Sequence, residues 1–371
     1  MIQPLLLDID TPTLNFARSG AVQLSLTCGA VASALAIAVL LSGSGPAIAG
    51  ACPATAKSAT PAAVLAWRSS CTHNLCGTVL ATRGQERKAE AIDTCPSETW
   101  QPLIAQLQAT LAQGGLVALG EVHDNRAHHL LRSELMKDAK AVVFEQIRGD
   151  RKAALEAFAR EATGTAKDRA AELMRRVDWK TSGWPEDDYR PLIEAALTAN
   201  AVVYAGDAPR DTMMALAKGK AGAVSDDERA RLKLNEGLGA KLDDASLTEI
   251  EGAHCGMVPK SAFGGMAFAQ RYRDAHLADA TVKAMEQEGG VVLISGNTHV
   301  RSDRGVPWYV ARRQPGKPIA SVMLVEVEDG KTDPQSYVPL DPDGKPAADF
   351  IVFTPRTERE DPCKKFGVKA G

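Results

Sequence analysis

Four short apolar runs stand out along this chain: Leu116–Gly120, Ala141–Phe144, Ala201–Ala205 and Val291–Ser295. They are rich in β-branched residues and too short for helices, so they predict strands buried on both faces of a parallel sheet. Between them, apolar residues recur at helical spacing over Asn125–Ala139, Ala153–Glu161, Ala166–Val177 and Tyr189–Asn200, and over two longer stretches at about 226–251 and 266–288. Ile319–Glu328 and Phe350–Phe353 predict later strands, placed at an edge. Strands alternating with helices predict an α/β fold, an open and mostly parallel sheet flanked by helices, with right-handed crossovers. Three helical stretches between the second and third strands exceed one crossover. They predict a smaller helical subdomain inserted at about residues 148–200.

Upstream the pattern changes. Residues 21–41 form an apolar stretch broken only by Gln23, Ser25, Thr27 and Ser33, and the small residues that follow, among them Ala47-Ile48-Ala49, suit signal cleavage. Cys52 follows Ala49-Gly50-Ala51 and resembles a lipoprotein cleavage site. Residues 1–51 therefore read as a leader, with three outcomes open: a lipid on Cys52, a soluble secreted chain, or an uncleaved anchor. All three place the folded part outside the cytoplasm, on the periplasmic side of a bacterial envelope membrane. Residues 52–98, rich in Ala, Thr, Ser and Pro, predict a linker and irregular lead-in; 99–360 is the main domain and 361–371 a tail. Within the lead-in, Cys71, Cys76 and Cys95 predict a disulfide between two of the three, in preference to a metal site.

Composition narrows the class. A net charge of −3 with no basic run argues against nucleic acid as a partner. An apolar fraction of 45% beside 24% charged residues excludes a disordered or multi-span membrane chain.

The chemistry lies just beyond the predicted strands. Ligands of open parallel sheets bind outside the carboxyl ends of the strands. There this chain carries Glu121 and His123, then Glu145, then Asp207, then Asn297 and His299. In extended backbone alternate side chains share a face, so Glu121 and His123 point the same way. Each residue has a bland reading as a cap, a solvated loop group or a hydrogen-bonded structural histidine. Together they support either a divalent metal held by His123, His299, Glu121 and Glu145, or general acid–base work by a Glu–His pair. Glu121, Glu145 and Asp207 are the catalytic candidates, with Asn297, Gln270 and Arg273 in support. Asp124 is placed to cap the next helix. His128 shares a helical stripe with Leu131 and Leu135 and reads as packing, whereas His129 lies off it. Trp184 and Tyr189 read as anchors of a helix start. His254-Cys255 invites a Cys–His reading, and Tyr309 a phenolate for iron, although a packed aromatic suits it better.

Ordered motifs add a resemblance. Leu119-Gly120-Glu121-Val122-His123-Asp124-Asn125 with His128-His129 resembles the opening of the ChaN family of the Tiki/TraB-like superfamily, whose signature Gly-x-x-His is met by Gly120 and His123. Glu145, Trp179, Gly183-Trp184-Pro185 with Tyr189, His254-Cys255-Gly256, Ala269-Gln270 with Arg273-Asp274-Ala275, and Gly296-Asn297-x-His299-Val300-Arg301 with Gly305-Val306-Pro307 follow in the family's order. Thr298 stands where a second Gly is usual, and Leu277 where Met is usual. The resemblance implies an iron-associated envelope lipoprotein that binds haem, held between two copies of the chain, with iron-uptake components as partners. Tyr309 and His254 are the candidates it leaves for contact with haem. The wider superfamily implies a second class, a metal-dependent hydrolase using the His/Glu cleft.

Overall fold

The computed structural model describes residues 60–83, 96–254 and 257–360. The leader, Cys52, Cys95, Cys255, Cys363 and the tail lie outside the described residues. Seven strands form one sheet: β1 (Val79–Ala81), β2 (Leu116–Leu119), β3 (Ala141–Arg148), β4 (Val202–Asp207), β5 (Val291–Ile294), β6 (Ile319–Glu326) and β7 (Phe350–Thr354). Their spatial order is β1-β7-β6-β2-β5-β3-β4. Only the β1–β7 pair is antiparallel; the other neighbours run parallel. The protein is thus an α/β fold with a mostly parallel sheet.

The helices are α1 (Ala62–Arg68), α2 (Pro96–Ala112), α3 (Arg126–Leu135), α4 (Lys152–Glu161), α5 (Ala166–Arg176), α6 (Glu186–Thr198), α7 (Arg210–Ala217), α8 (Asp226–Arg231), α9 (Ala240–Ala253), α10 (Lys260–Glu288) and α11 (Val306–Arg313). The strands β2 and β5 are buried at every position, as their uninterrupted apolar runs require. One core runs from Leu103 and Leu107 of α2 through Val117, Phe144 and Ile294 of the sheet to Leu192 and Ile193 of α6. Among the described residues, no helix is long and apolar enough to cross a membrane.

Several expectations are corrected. The strand β6 lies between β2 and β7, and β7 between β6 and β1, so neither is an edge; the edges are β1 and β4. The longer helical stretch at 226–251 divides into α8 and α9 because Gly237 and Gly239, the latter at φ 97°, interrupt it. The expected irregular lead-in holds α1 and β1. The Cys71–Cys76 disulfide closes a short loop within it, and it is tied to the domain by Trp100 Nε1 donating to the Gly77 carbonyl at 2.9 Å and by the register of β1 on β7. The strand β3 runs to Arg148 rather than ending at Phe144, because its pairing with β4 resumes at Arg148–Asp207 after an irregularity. Glu145 and Gln146 therefore sit within the strand.

Phe144 is fully buried in the central sheet. Phe144→Ala is expected to lower the unfolding free energy by about 3–5 kcal/mol. Replacing the exposed Leu65 by Ala is expected to change it by no more than about 0.5 kcal/mol. Urea unfolding read by circular dichroism measures both, and equal midpoints for the two variants would overturn this placement of the core.

Candidate functional site

The site is made by the order of three neighbouring strands. β5 is inserted between β2 and β3, so the loop after β5 lies between Glu121 and Glu145. Two glycines allow the loops to approach. A Cβ on Gly120 would stand 2.3 Å from Asn297 Oδ1, and one on Gly296 would stand 2.7 Å from His123 Nε2. Side chains at these positions are excluded by contact, which is a physical reason for Gly in the Gly-x-x-His and Gly-Asn-x-His segments. The Asn297 amide N–H donates to the Glu121 carbonyl at 3.0 Å, and the Asn297 side chain donates to the Leu324 carbonyl at 2.7 Å. Thr298 has no left-handed backbone, so its replacement of a family Gly is accommodated without strain.

Glu121, 2% exposed, is the centre of one half. Its Oε1 accepts from His123 Nδ1 at 2.8 Å, from Tyr189 Oη at 2.6 Å and from Gln146 at 3.4 Å. Its Oε2 faces His129 Nε2 at 2.9 Å and forms an ion pair with the fully buried Arg132. Burial lowers Arg132 to about 10, which leaves it charged at neutral pH. Burial also holds His123 and His129 near 4, so both imidazoles are neutral. Trp184 packs on His123 with ring centroids 4.7 Å apart, and Tyr189 packs on His129 at 4.5 Å. These aromatic rings, presented by α6 and the loop before it, do more than anchor a helix: they cover the imidazoles.

Glu145 is the centre of the other half. Its Oε2 accepts from the Gly296 amide at 2.7 Å, and its Oε1 stands 3.3 Å from both Arg273 and His299 Nε2. Burial opposes ionisation of Glu145, but His299, Arg273 and His123 outweigh it and hold the carboxyl well below its ordinary range. His299 donates its other ring N–H to Asp274 at 2.6 Å, and the Gln270 amide lies 3.3 Å from the same nitrogen. Burial disfavours the imidazolium, yet Glu145 and Asp274 raise His299 to about 10. Burial pushes Asp274 up. Arg273 bridges Glu145 to Asp207, whose Oδ1 it meets at 2.7 Å. Asp207 is thus bound to the cluster through an arginine rather than aimed into it.

Other residues part from expectation. Asn125, not Asp124, caps α3, accepting from Ala127 N, while Asp124 pairs with Arg359 at 2.7 Å. His128 is buried but hydrogen-bonded at both nitrogens, to Val122 N at 2.9 Å and Thr354 Oγ1 at 2.7 Å. Tyr309 is fully buried against Trp308. His254 is 8% exposed and its Nδ1 donates to the Ile250 carbonyl at 2.8 Å.

A divalent metal does not suit this donor set. Both carboxylates already carry arginine partners, His299 offers N–H to two acids rather than a lone pair, and each added cation would be repelled by Arg132 or Arg273. Among the described residues, no group of three or more His, Cys, Asp or Glu side chains is arranged to hold a metal ion.

A cavity opens along the edge strand β4 and shares Asp207 with this cluster. It measures about 700 Å³ and is walled by α4 on one side and α10 on the other. Its floor is apolar, including Leu155, Phe158, Leu197 and Val203, and Lys152, Arg169, Tyr204, His276 and Lys283 also line it.

Fold and site together define an α/β protein whose central strand ends carry two carboxylates saturated by histidine and arginine. The family described as haem-binding uptake, Tiki superfamily, ChaN matches residues 107–310, more than half of the chain, and the chain belongs to that family. Among solved structures, ChaN of Campylobacter jejuni with cofacial haem is 16% identical, at a TM-score of 0.52, over 74% of this chain and 94% of its own. A mutant erythromycin esterase in its open conformation is 13% identical, at a TM-score of 0.40, over 77% of this chain and 99% of its own. No curated protein sequence matches this one.

The titrations above set a pH profile. His123, His129 and His128 stay neutral when folded, at about 4, 4 and 3, but take protons near 6.5 when unfolded. Their burial therefore costs stability as pH falls below about 6.5. His299 is raised, so its contribution is complete below its unfolded value of 6.5 and is lost as pH rises through about 10. Thermal unfolding is expected to show its maximum near neutrality, with an alkaline decline between pH 7 and 10 that is shallower in His299→Gln. A wild-type melting temperature constant over that alkaline range would overturn this assignment of charge.

Proposed function

We propose that this protein binds haem at the bacterial envelope in the service of iron uptake. Membership of the haem-binding uptake family carries the reading. The edge cavity supports it. A volume of 700 Å³ is of the size that holds cofactors, and an apolar floor with lysine and arginine beside it suits a flat apolar ring bearing carboxylates. Haem would be cargo, held through a protein ligand to its iron and through cations to its propionates. The export pattern of residues 1–51 and the Cys71–Cys76 disulfide, which needs an oxidising compartment, support an extracytoplasmic location with Cys52 as the lipid-bearing residue. The Campylobacter relative binds haem cofacially, which supports an assembly of two copies for this chain.

The test is direct. Titrating the purified chain with hemin is expected to shift and sharpen the Soret band to a saturating end point. A spectrum that remains the sum of free hemin and protein at equimolar ratio would overturn the reading.

A second reading is favoured by one observation. Nδ1 of the neutral His123 donates to Glu121, which leaves Nε2 as the basic nitrogen, and part of the His123 side chain, 15%, is open to solvent. A carboxylate-oriented neutral imidazole is the arrangement of a general base, here for hydrolysis without a metal. Hydrolysis of p-nitrophenyl acetate by the wild type, lost in His123→Ala and insensitive to chelator, is expected on this reading. Equal rates for wild type and variant would remove it.

A further inference from the structure

The start of α1 is fixed to the foot of the domain, the end at which the parallel strands begin. The amides of Ala62 and Ala63 donate to Glu134 Oε2 and Oε1, each at 2.7 Å, so a carboxylate near the end of α3 caps the first turn of α1. Thr60, Pro61 and Ala62 share a small depression with Leu111 of α2 and with Lys137 and Asp138, which follow α3. Both of those helices end there and pass the chain to β2 and β3. The rim of the polar centre is at the opposite end, where Asn125 caps α3 directly after Glu121 and His123.

The outer flank of the same two helices is apolar where water would meet it. Both helices bury their inner sides in one core, Val64 and Trp67 beside Leu131 and Leu135, so their outer sides form one surface. Four large apolar side chains are exposed among the described residues, and two of them, Leu65 at 54% and Leu130 at 37%, belong to α1 and α3. Leu65 stands one turn from the capped Ala62, and Leu130 one turn before Glu134. Lys137 and Lys140 are exposed at the foot, with Asp138 between them. Exposed leucines flanked by lysines suit a lipid surface, since the leucines gain by leaving water while the ammonium groups reach phosphate.

The length of the linker decides which end of the domain can meet a bilayer. Cys52 lies eight residues before Thr60. Such a linker reaches about 29 Å at full extension and about 15 Å as a relaxed coil. The strand β3 alone runs eight residues from foot towards rim, about 26 Å, and the turns and helix ends beyond it add further height. A domain standing on its rim would therefore hold Thr60 at or beyond the limit of the linker. A domain resting on its foot leaves the linker relaxed.

We propose that the foot of the domain, with Leu65 and Leu130 on the α1–α3 flank, rests on the lipid bilayer, so that the rim bearing His123 opens to the aqueous side. The inference rests on the reading of Cys52 as the lipid-bearing residue and adds an orientation to it.

Photocrosslinking of the full chain expressed in a bacterium tests it. The photoreactive residue p-benzoylphenylalanine is placed singly at Leu65, Leu130, Asp187 or Leu340, all of them exposed. Asp187 marks the rim, in the first turn of α6, and Leu340 is an exposed leucine in the loop between β6 and β7. Mass spectrometry is expected to find phospholipid adducts at Leu65 and Leu130 about tenfold above those at the other two positions, the ratio that burial of one leucine supplies. Phospholipid adducts at Asp187 or Leu340 that match or exceed them would overturn the orientation. So would a membrane-bound chain with adducts at none of the four. Adducts to protein instead of lipid at Leu65 and Leu130 would make the flank a docking site for another chain, and would equally overturn the proposal. Fractionation of the Cys52→Ser chain tests the anchor apart from the orientation. Its release from the membrane fraction is expected, whereas retention equal to the wild type would overturn the lipid reading and this inference with it.

Discussion

Two carboxylates stand in dry surroundings at neighbouring strand ends, and the rest of the site is arranged around the need to keep them satisfied. An ionised acid removed from water is costly unless it is paired and hydrogen-bonded. Glu121 meets that condition through Arg132, His123, His129, Tyr189 and Gln146. Glu145 meets it through Arg273, His299 and the Gly296 amide. The partners come from β3, α3, α6, α10 and the loops after β2 and β5, so satisfying two acids fixes the mutual placement of most of the domain. Protonation differs between the halves: burial keeps the histidines beside Glu121 neutral, whereas His299, between two acids, is charged despite its burial.

That saturation sets the polar centre apart from the rest of the domain. A cluster in which each acid oxygen already has partners offers little to an incoming ion, and the aromatic cover of Trp184 and Tyr189 leaves His123 as the more open imidazole of its half. The β4 edge differs in each respect. It has volume, an apolar floor and charged side chains of both signs around it. The conspicuous motif residues thus build the scaffold and a compact polar centre, while the open volume lies along β4, where no motif points.

Much of the sheet was legible because strands buried on both faces leave uninterrupted apolar runs, as at β2 and β5. The convergence of Glu121, Glu145 and His299 was legible too, since strand ends of a parallel sheet share one rim. The insertion of β5 between β2 and β3 was not, because periodicity carries no information about lateral order. Arg132 was invisible for a different reason. A long cation on an amphipathic helix ordinarily reads as solvent-facing, and only the buried acid opposite explains its place within the core. Glu145 was placed after a strand that in fact continues through it, since the pairing of β3 with β4 extends the strand past its apolar run.

The helical insertion between β3 and β4 is what links these features. An exposed edge strand invites pairing with other chains and is usually covered, shortened or charged. Here α4 and α10 rise on either side of β4 and wall its open edge without filling it, so protecting the edge and forming a cavity are one act. The same insertion sends α6 across the sheet to place Tyr189 on Glu121, with Trp184 just before it. A single departure from a simple strand–helix–strand crossover therefore supplies the cover of the polar centre and one wall of the β4 cavity. Changes that loosen α4–α6 should disturb both at once, whereas changes confined to α10 near Lys283 should reach the cavity alone.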